Sequence, residues 1–146
     1  MKMKKLLLSL VFSLVLYGTA SADLLPLGTN LEDVEGQVVW NSQDSKDKNT
    51  GYYTPADTSR KAFLGVPIER IYYVFTDNKL DIIEVLYNSK AYGNAMWASL
   101  IAEYGRGFNY YILDNGANAW VFNGWEIINT VDDRDNTVGM IYIMPH

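Results

Sequence analysis

The chain contains no cysteine, and its single histidine, His146, is the last residue. The lack of cysteine excludes disulfides, thiolate metal sites and thiol nucleophiles. A terminal side chain is rarely held in a fixed position, so His146 is a poor general base, and neither a Ser-His-Asp triad nor a multi-histidine zinc site is expected. No glycine-rich loop leads into a lysine followed by serine or threonine, which argues against a phosphate-binding loop. The sequence therefore predicts no metal ion and no cofactor.

The first 22 residues have the three-part pattern of a secretory signal peptide. Three lysines lie within residues 1–5, an uncharged run follows over residues 6–17, and the small residues Ala20-Ser21-Ala22 come next. The run is shorter than the roughly 20 apolar residues that a membrane-spanning helix needs, and no cysteine is present to carry a lipid. We therefore expect cleavage after Ala22, and a periplasmic or secreted mature chain with no stable membrane anchor.

The mature chain, residues 23–146, would be strongly acidic. All 17 acidic residues follow position 22, whereas three of the 12 basic residues precede it, which leaves nine basic residues and a net charge of −8. Nucleic acids and anionic lipids bind to surfaces rich in lysine and arginine, so neither is an expected partner. A cationic protein partner would be complementary to this charge.

The mature chain has the length of one domain, and five segments rich in β-branched and aromatic residues predict strands. They span 71–75, 80–87, 117–122, 125–131 and 138–144, with turns at 76–79, at Asn123-Gly124 and at 132–136. The segment 41–53 is polar, and we expect an exposed loop there. A short helical turn is expected within residues 29–34, because Thr29 or Asn30 can cap it.

A helix over about 90–104 is predicted between a capping residue, Ser89, and a terminating glycine, Gly105. Apolar residues recur there at helical spacing and form one stripe: Met96, Trp97, Leu100, Ile101 and Tyr104. We expect this stripe, including Trp97, to pack on the sheet. The predicted fold class is α+β, an antiparallel sheet in the order β-β-α-β-β-β with one main helix on one face and a short helical N-terminal segment.

Two segments resemble a known family. Residues 27–34, Leu-Gly-Thr-Asn-Leu-Glu-Asp-Val, and residues 73–80, Tyr-Val-Phe-Thr-Asp-Asn-Lys-Leu, resemble small bacterial envelope domains of the outer-membrane assembly lipoprotein type (the BamE or SmpA type). The chain departs from that family in having no lipid-bearing cysteine and in placing its long helix after the hairpin. The part ending in Glu103-Tyr104-Gly105 also resembles small secreted bacterial proteins without an assigned function. These resemblances imply an envelope location and a non-catalytic role.

Aromatic and acidic residues in the second half of the chain are candidates for a binding site, because tyrosine and tryptophan bury much area yet keep a polar tip. The candidate binding residues are Tyr110, Tyr111, Trp120, Trp125, Asp132, Asp133 and Asp135. The predicted function is non-catalytic binding of another protein, of the inhibitor, immunity or envelope-assembly type. The acidic turn would attract a cationic partner.

Glycan binding or hydrolysis is the alternative hypothesis. Tyrosine and tryptophan stack on sugar rings, and a pair of carboxylates can cleave a glycosidic bond. Glu84, Glu103 and Glu126 lie close to aromatic residues in the sequence, and Glu84, which interrupts an apolar strand, is expected to be half-buried. The segment 132–136 has carboxylates for calcium, but it lacks the glycine and distal glutamate of a calcium loop and contains Arg134, so we interpret it as a solvated hairpin turn.

Overall fold

A computed structural model describes residues 24–146; the predicted signal peptide lies outside this range. The described chain forms a 3-10 helix, Leu31–Val34, one α-helix, α1, Ser89–Tyr104, and ten strands. The strands are β1 Val38–Gln43, β2 Thr50–Pro55, β3 Ala62–Phe63, β4 Val66–Pro67, β5 Arg70–Thr76, β6 Lys79–Asn88, β7 Tyr110–Ile112, β8 Asn118–Val121, β9 Trp125–Val131 and β10 Val138–Pro145.

Eight of these strands form a single antiparallel sheet in the order β1-β2-β5-β6-β10-β9-β8-β7. Strands β3 and β4 pair separately as a small hairpin. The predicted α+β fold class is therefore wrong: the described chain is predominantly β, with one wide antiparallel sheet and one helix. The five predicted strands are present as β5, β6, β8, β9 and β10, but they account for only part of the sheet.

Three strands of the eight-stranded sheet lie outside the five predicted segments, and they are the outermost strands on its two sides. Strands β1 and β2 occupy most of the segment predicted as a polar loop, 41–53, and only residues 44–49 connect them. The third, β7, lies at the opposite edge. Edge positions bury fewer side chains, so these strands do not need the continuous apolar pattern by which central strands are recognised. Pairing with a neighbouring strand, rather than local composition, makes them extended.

A single hydrophobic core lies on one face of the sheet, which we call the core face. Alternate residues of each central strand point into it, because side chains alternate between the two faces of a strand. Its buried members from outside the sheet are Leu24, Val34, Phe63, Val66, Met96 and Leu100. The N-terminal segment, the β3–β4 hairpin and α1 therefore all cover the same face.

Helix α1 has the predicted extent but a different cap. The Asn88 side chain, not that of Ser89, accepts a hydrogen bond from the Ala91 amide at 3.1 Å. Gly105 ends the helix, with a φ of 80° that favours glycine and an amide that donates to the Ile101 carbonyl at 2.8 Å. The expected burial of Trp97 is wrong: this ring is half-exposed, and the Arg106 guanidinium lies 4.6 Å from its centroid.

Candidate binding site on the open face of the sheet

The face of the sheet opposite the core face is not covered by any helix or hairpin of residues 24–146, because the buried side chains of those elements all belong to the single core. We call it the open face. Strand alternation places many aromatic and aliphatic side chains there, where a solvated sheet face usually carries polar ones. Its half-exposed residues include Tyr52, Tyr72, Ile82, Glu84, Leu86, Ile128, Met140 and Tyr142.

A carboxylate lies between two tyrosines near the centre of this face. Glu84 on β6 is directly opposite Tyr72 on β5 and directly opposite Tyr142 on β10. Directly paired residues in an antiparallel sheet have Cβ atoms about 4.5–5.5 Å apart, so the three side chains are neighbours. The same row continues through Ile128 on β9 and reaches Tyr111 on β7, which is one of the predicted binding residues.

The tyrosines around Glu84 are held by contacts of their own. The Tyr52 ring meets the Tyr72 ring edge-on, with centroids 6.3 Å apart and an interplanar angle of 82°. The Tyr72 hydroxyl accepts a hydrogen bond from Nη1 of Arg70 at 2.9 Å. The Tyr142 hydroxyl donates to the sulfur of Met140 at 3.2 Å. We call Tyr52, Tyr72, Glu84 and Tyr142 the tyrosine–glutamate cluster.

The carboxylate of Glu84 has no hydrogen bond and no ion pair with any residue in the range 24–146. Burial raises its pKa above the ordinary value for glutamate, because the charged form is poorly solvated on this face. Burial also raises the pKa of Tyr52 and of Tyr142, and the nearby negative charge of Glu84 adds to both shifts. The cluster therefore has a half-buried acid whose charge is not neutralised within the described chain.

The structure does not bring the predicted aromatic binding residues together in one exposed patch. Trp120 is fully buried, and its indole nitrogen donates to the Gly105 carbonyl at 2.7 Å, so it offers no surface to a partner. Tyr110 packs against Trp120 with centroids 5.2 Å apart, and Trp125 stacks on Phe122 at 4.4 Å. Of the four predicted aromatics, only Tyr111, which is 50% exposed, lies on the open face.

The predicted acidic residues connect β9 to β10 as a hairpin turn. The Asp132 carboxylate accepts a hydrogen bond from the Arg134 amide at 2.7 Å. Thr137 donates to Asp135 from its hydroxyl at 2.6 Å and from its amide at 3.0 Å, and these bonds hold the pKa of Asp135 below its ordinary value. Asp133 is exposed in the same turn. Two of the three aspartates thus stabilise the turn, and Asp132 also contributes negative charge near Tyr142.

The three glutamates of the glycan-hydrolase hypothesis do not converge. Glu84 and Glu126 lie on β6 and β9, with β10 between them, and Glu126 is 3.6 Å from the His146 ring nitrogen. Glu103 is on α1, which packs on the core face. Within the described residues, no group of three or more acidic or histidine side chains could hold a metal ion.

Sequence reasoning identified Glu84 as half-buried but did not find the tyrosines around it. Tyr72 and Tyr142 lie in strands in which both faces are apolar, so the sequence does not distinguish the side that faces the core. Tyr52 lies within the segment predicted as a loop. No local signal separates the two faces, because Ile82 and Leu86 on the Glu84 side of β6 are as apolar as Ile83 and Val85 on the other side.

No protein-family model, curated protein or solved structure matches this chain. The resemblance to envelope assembly lipoproteins therefore stays a prediction. In the part of the chain that the structure describes, no helix has both the length and the apolar character needed to cross a membrane.

Proposed function

We propose that this chain is a non-catalytic binding protein, exported from the cytoplasm, that binds another protein through its open face. One observation carries the proposal: an eight-stranded sheet has its core on one face and a broad, half-exposed aromatic and aliphatic surface on the other. Contiguous exposed apolar surface is unfavourable in water and is typical of interaction sites. Tyrosine, the main aromatic residue there, is enriched among the residues that dominate binding energy.

The charge of the face favours a cationic partner. A half-buried carboxylate without a counter-charge is poorly solvated, and a cation that arrives with the partner would relieve that penalty. Tyrosine rings also attract lysine and arginine side chains through their π-faces, as the Tyr72 ring does with the Arg70 guanidinium, which lies 5.7 Å from its centroid. The net charge of −8 expected for the mature chain would further speed the encounter with such a partner.

An inhibitor, an immunity protein and an envelope-assembly factor are all proteins of this kind. Each requires a rigid surface that binds one partner without altering it chemically. The cluster meets that requirement because its residues project from four adjacent, paired strands, β2, β5, β6 and β10. Side chains on strands are held more precisely than those on loops.

The proposal is tested by comparing partner capture by two variants with an added lysine. Met140→Lys places a positive charge on the open face, where residue 140 is directly opposite Leu86 on the adjacent strand β6 and next to the tyrosine–glutamate cluster. Ala98→Lys places the same charge on an exposed position of α1, on the other side of the molecule. Purified wild-type protein and both variants are immobilised, and the proteins bound from an envelope extract are quantified by mass spectrometry.

We expect a specific protein to bind the wild type and the Ala98→Lys variant equally, and to be lost from Met140→Lys. Glu84→Gln should weaken its capture most at low salt, because screening removes the long-range part of the attraction. Circular dichroism confirms that each variant is folded. Capture that is the same for the wild type and Met140→Lys would show that the open face is not the binding surface.

A further inference from the structure

A separate cleft lies at the β1 edge of the sheet, on the core face. It is formed between the 3-10 helix, the β1–β2 hairpin and the turn that joins β5 to β6, and it encloses about 350 Å³. Ligand pockets typically enclose about 300–1,000 Å³, so the cleft can accept one or two small rings. It does not overlap the open face, since Trp40 in its wall pairs with Tyr53, which pairs with the core residue Tyr73. We call it the Trp40 cleft.

One wall of the cleft is an exposed aromatic platform. Trp40 is 61% exposed, although tryptophan is among the residues that are most buried on average. Its cross-strand neighbour Tyr53 packs edge-on against the core ring of Phe75, with centroids 5.3 Å apart. The ring of Tyr53 also lies beside Gly51, where a Cβ would be 3.1 Å from it. Tyr53 is therefore held in place at the base of the cleft, and the exposed ring of Trp40 projects into solvent beside it.

The opposite wall is a polar turn with a fixed backbone. Asp77 and Asn78 have φ values of 50° and 65°, as in the tight type I′ turn of a two-residue hairpin. Two backbone hydrogen bonds hold the turn: the Asp77 amide donates to the Asn49 carbonyl at 3.0 Å, and the Leu31 amide donates to the Asn78 carbonyl at 2.8 Å. The backbone of this turn is thus fixed before any ligand binds, and the side chains of Asp77 and Asn78 are exposed beside the cleft.

The polar side chains around the cleft are available to a ligand. Those of Lys48, Asn49, Asp77 and Asn78 make no hydrogen bond or ion pair with any other group in the described range. Gln43 donates one hydrogen bond from its amide nitrogen to the Lys48 carbonyl at 2.6 Å, which leaves its side-chain oxygen as an acceptor. Together they supply both donors and acceptors, and the single lysine and single aspartate balance in charge.

We infer that the Trp40 cleft binds a neutral saccharide, with one pyranose ring stacked on Trp40 and its hydroxyls hydrogen-bonded to the turn at Asp77 and Asn78. A sugar ring has an apolar face of C–H groups that suits a flat indole. Its hydroxyls each donate and accept, so they match a rim of amides and one carboxylate. A phosphorylated ligand would need an excess of basic groups, which the rim does not supply. The inference is independent of the proposed protein-binding surface.

The purified protein is titrated with four neutral trisaccharides: cellotriose, maltotriose, xylotriose and triacetylchitotriose. Binding is followed by nuclear magnetic resonance at the indole N–H of Trp40, assigned with the Trp40→Phe variant. We expect at least one sugar to shift this signal, and Trp40→Ala to weaken its binding at least about tenfold, as loss of an aromatic anchor does.

Asn78→Gly is the second variant, because glycine adopts the positive φ at this position and the substitution removes only the side chain with its amide group. It should weaken binding of the same sugar several-fold. The matched controls are Phe108→Ala, which removes another highly exposed ring, and Met140→Lys on the open face; both should bind the sugar as the wild type does.

Two results would overturn the inference. One is the absence of any change at the Trp40 signal with all four sugars at about 10 mM, a concentration that detects a Kd in the millimolar range. The other is saccharide binding that survives Trp40→Ala unchanged, which would place the sugar elsewhere. Met140→Lys changes only the open face, so it should abolish capture of the protein partner and leave sugar binding intact. Trp40→Ala should do the reverse. The two variants therefore distinguish failure of the sugar-binding inference from failure of the protein-binding proposal.

Discussion

The ring of Tyr87 lies directly over the backbone of Gly139, its cross-strand neighbour on β10. Both residues are buried, and a Cβ at position 139 would overlap the ring. The absence of a side chain at Gly139 therefore lets β6 and β10, the two central strands, pair beneath a large aromatic residue.

We predict that Gly139→Ala lowers the free energy of unfolding by about 1–3 kcal/mol, the usual penalty for overpacking a core. The control is Gly93→Ala, because this helical glycine has space for a methyl group. It should raise stability by about 0.5–1 kcal/mol. Urea denaturation measures both, and a Gly139→Ala variant as stable as the wild type would show that Tyr87 can move aside.

Two tyrosines with buried hydroxyls should respond in opposite ways to loss of the hydroxyl. The Tyr87 hydroxyl donates to the buried side-chain oxygen of Asn129 at 2.6 Å, whereas the Tyr104 hydroxyl is buried without a partner among the described residues. Tyr87→Phe leaves an unsatisfied acceptor and should cost about 1–3 kcal/mol. Tyr104→Phe removes an unsatisfied group, so stability should be unchanged or about 1 kcal/mol higher.

Tryptophan substitutions distinguish the core from the half-exposed helix surface. Trp120→Ala should lower the free energy of unfolding by about 3–5 kcal/mol, because it empties a fully buried site and removes the hydrogen bond to Gly105. Trp97→Ala should cost less than half as much, since its ring is half-exposed. Equal losses in chemical denaturation would show that Trp97 is part of the core after all.

The pH dependence of stability should report the environment of Glu84. Burial raises its pKa in the folded protein, so the folded state takes up this proton at a higher pH than the unfolded chain does. Wild-type stability should therefore improve relative to Glu84→Gln as pH falls through the folded pKa, and the improvement should be complete below the unfolded value of about 4.3.

At neutral pH and above, Glu84→Gln should be the more stable of the two proteins. The quantity to compare is the difference in free energy of unfolding between the two proteins at each pH. Asp44, Asp57 and Asp135, whose pKa values are lowered by hydrogen bonds, are present in both proteins, so their contributions cancel in this difference. A difference that is constant with pH would mean that Glu84 is solvated like an ordinary glutamate. If Glu84→Gln is more stable than the wild type at neutral pH but no longer binds the partner, Glu84 serves binding at a cost in stability.

Export should be visible in the mass of the protein. Cleavage after Ala22 gives a chain that starts at Asp23. Intact-mass measurement of the protein recovered outside the cytoplasm checks this, and a mass that retains residues 1–22 would contradict the predicted signal peptide.

The sequence by itself determined the strongly patterned elements. The β5–β6 and β8–β9 hairpins, β10 and α1 all follow from apolar periodicity together with turn or terminating residues such as Asn123-Gly124 and Gly105. These signals are local, because a two-residue turn or the end of a helix is decided by the conformational preferences of a few neighbouring residues.

Only the tertiary structure decided the width of the sheet and which of its faces is covered. Strands β1, β2 and β7 become extended by pairing with a neighbour, and their own polar or mixed sequences do not require it. Along β5, β6 and β10 both alternating sets of residues are largely apolar, so periodicity could not tell the core face from the open face. That choice depended on where α1 and the β3–β4 hairpin pack, which is a long-range property, and it left Glu84 and its tyrosines facing outward.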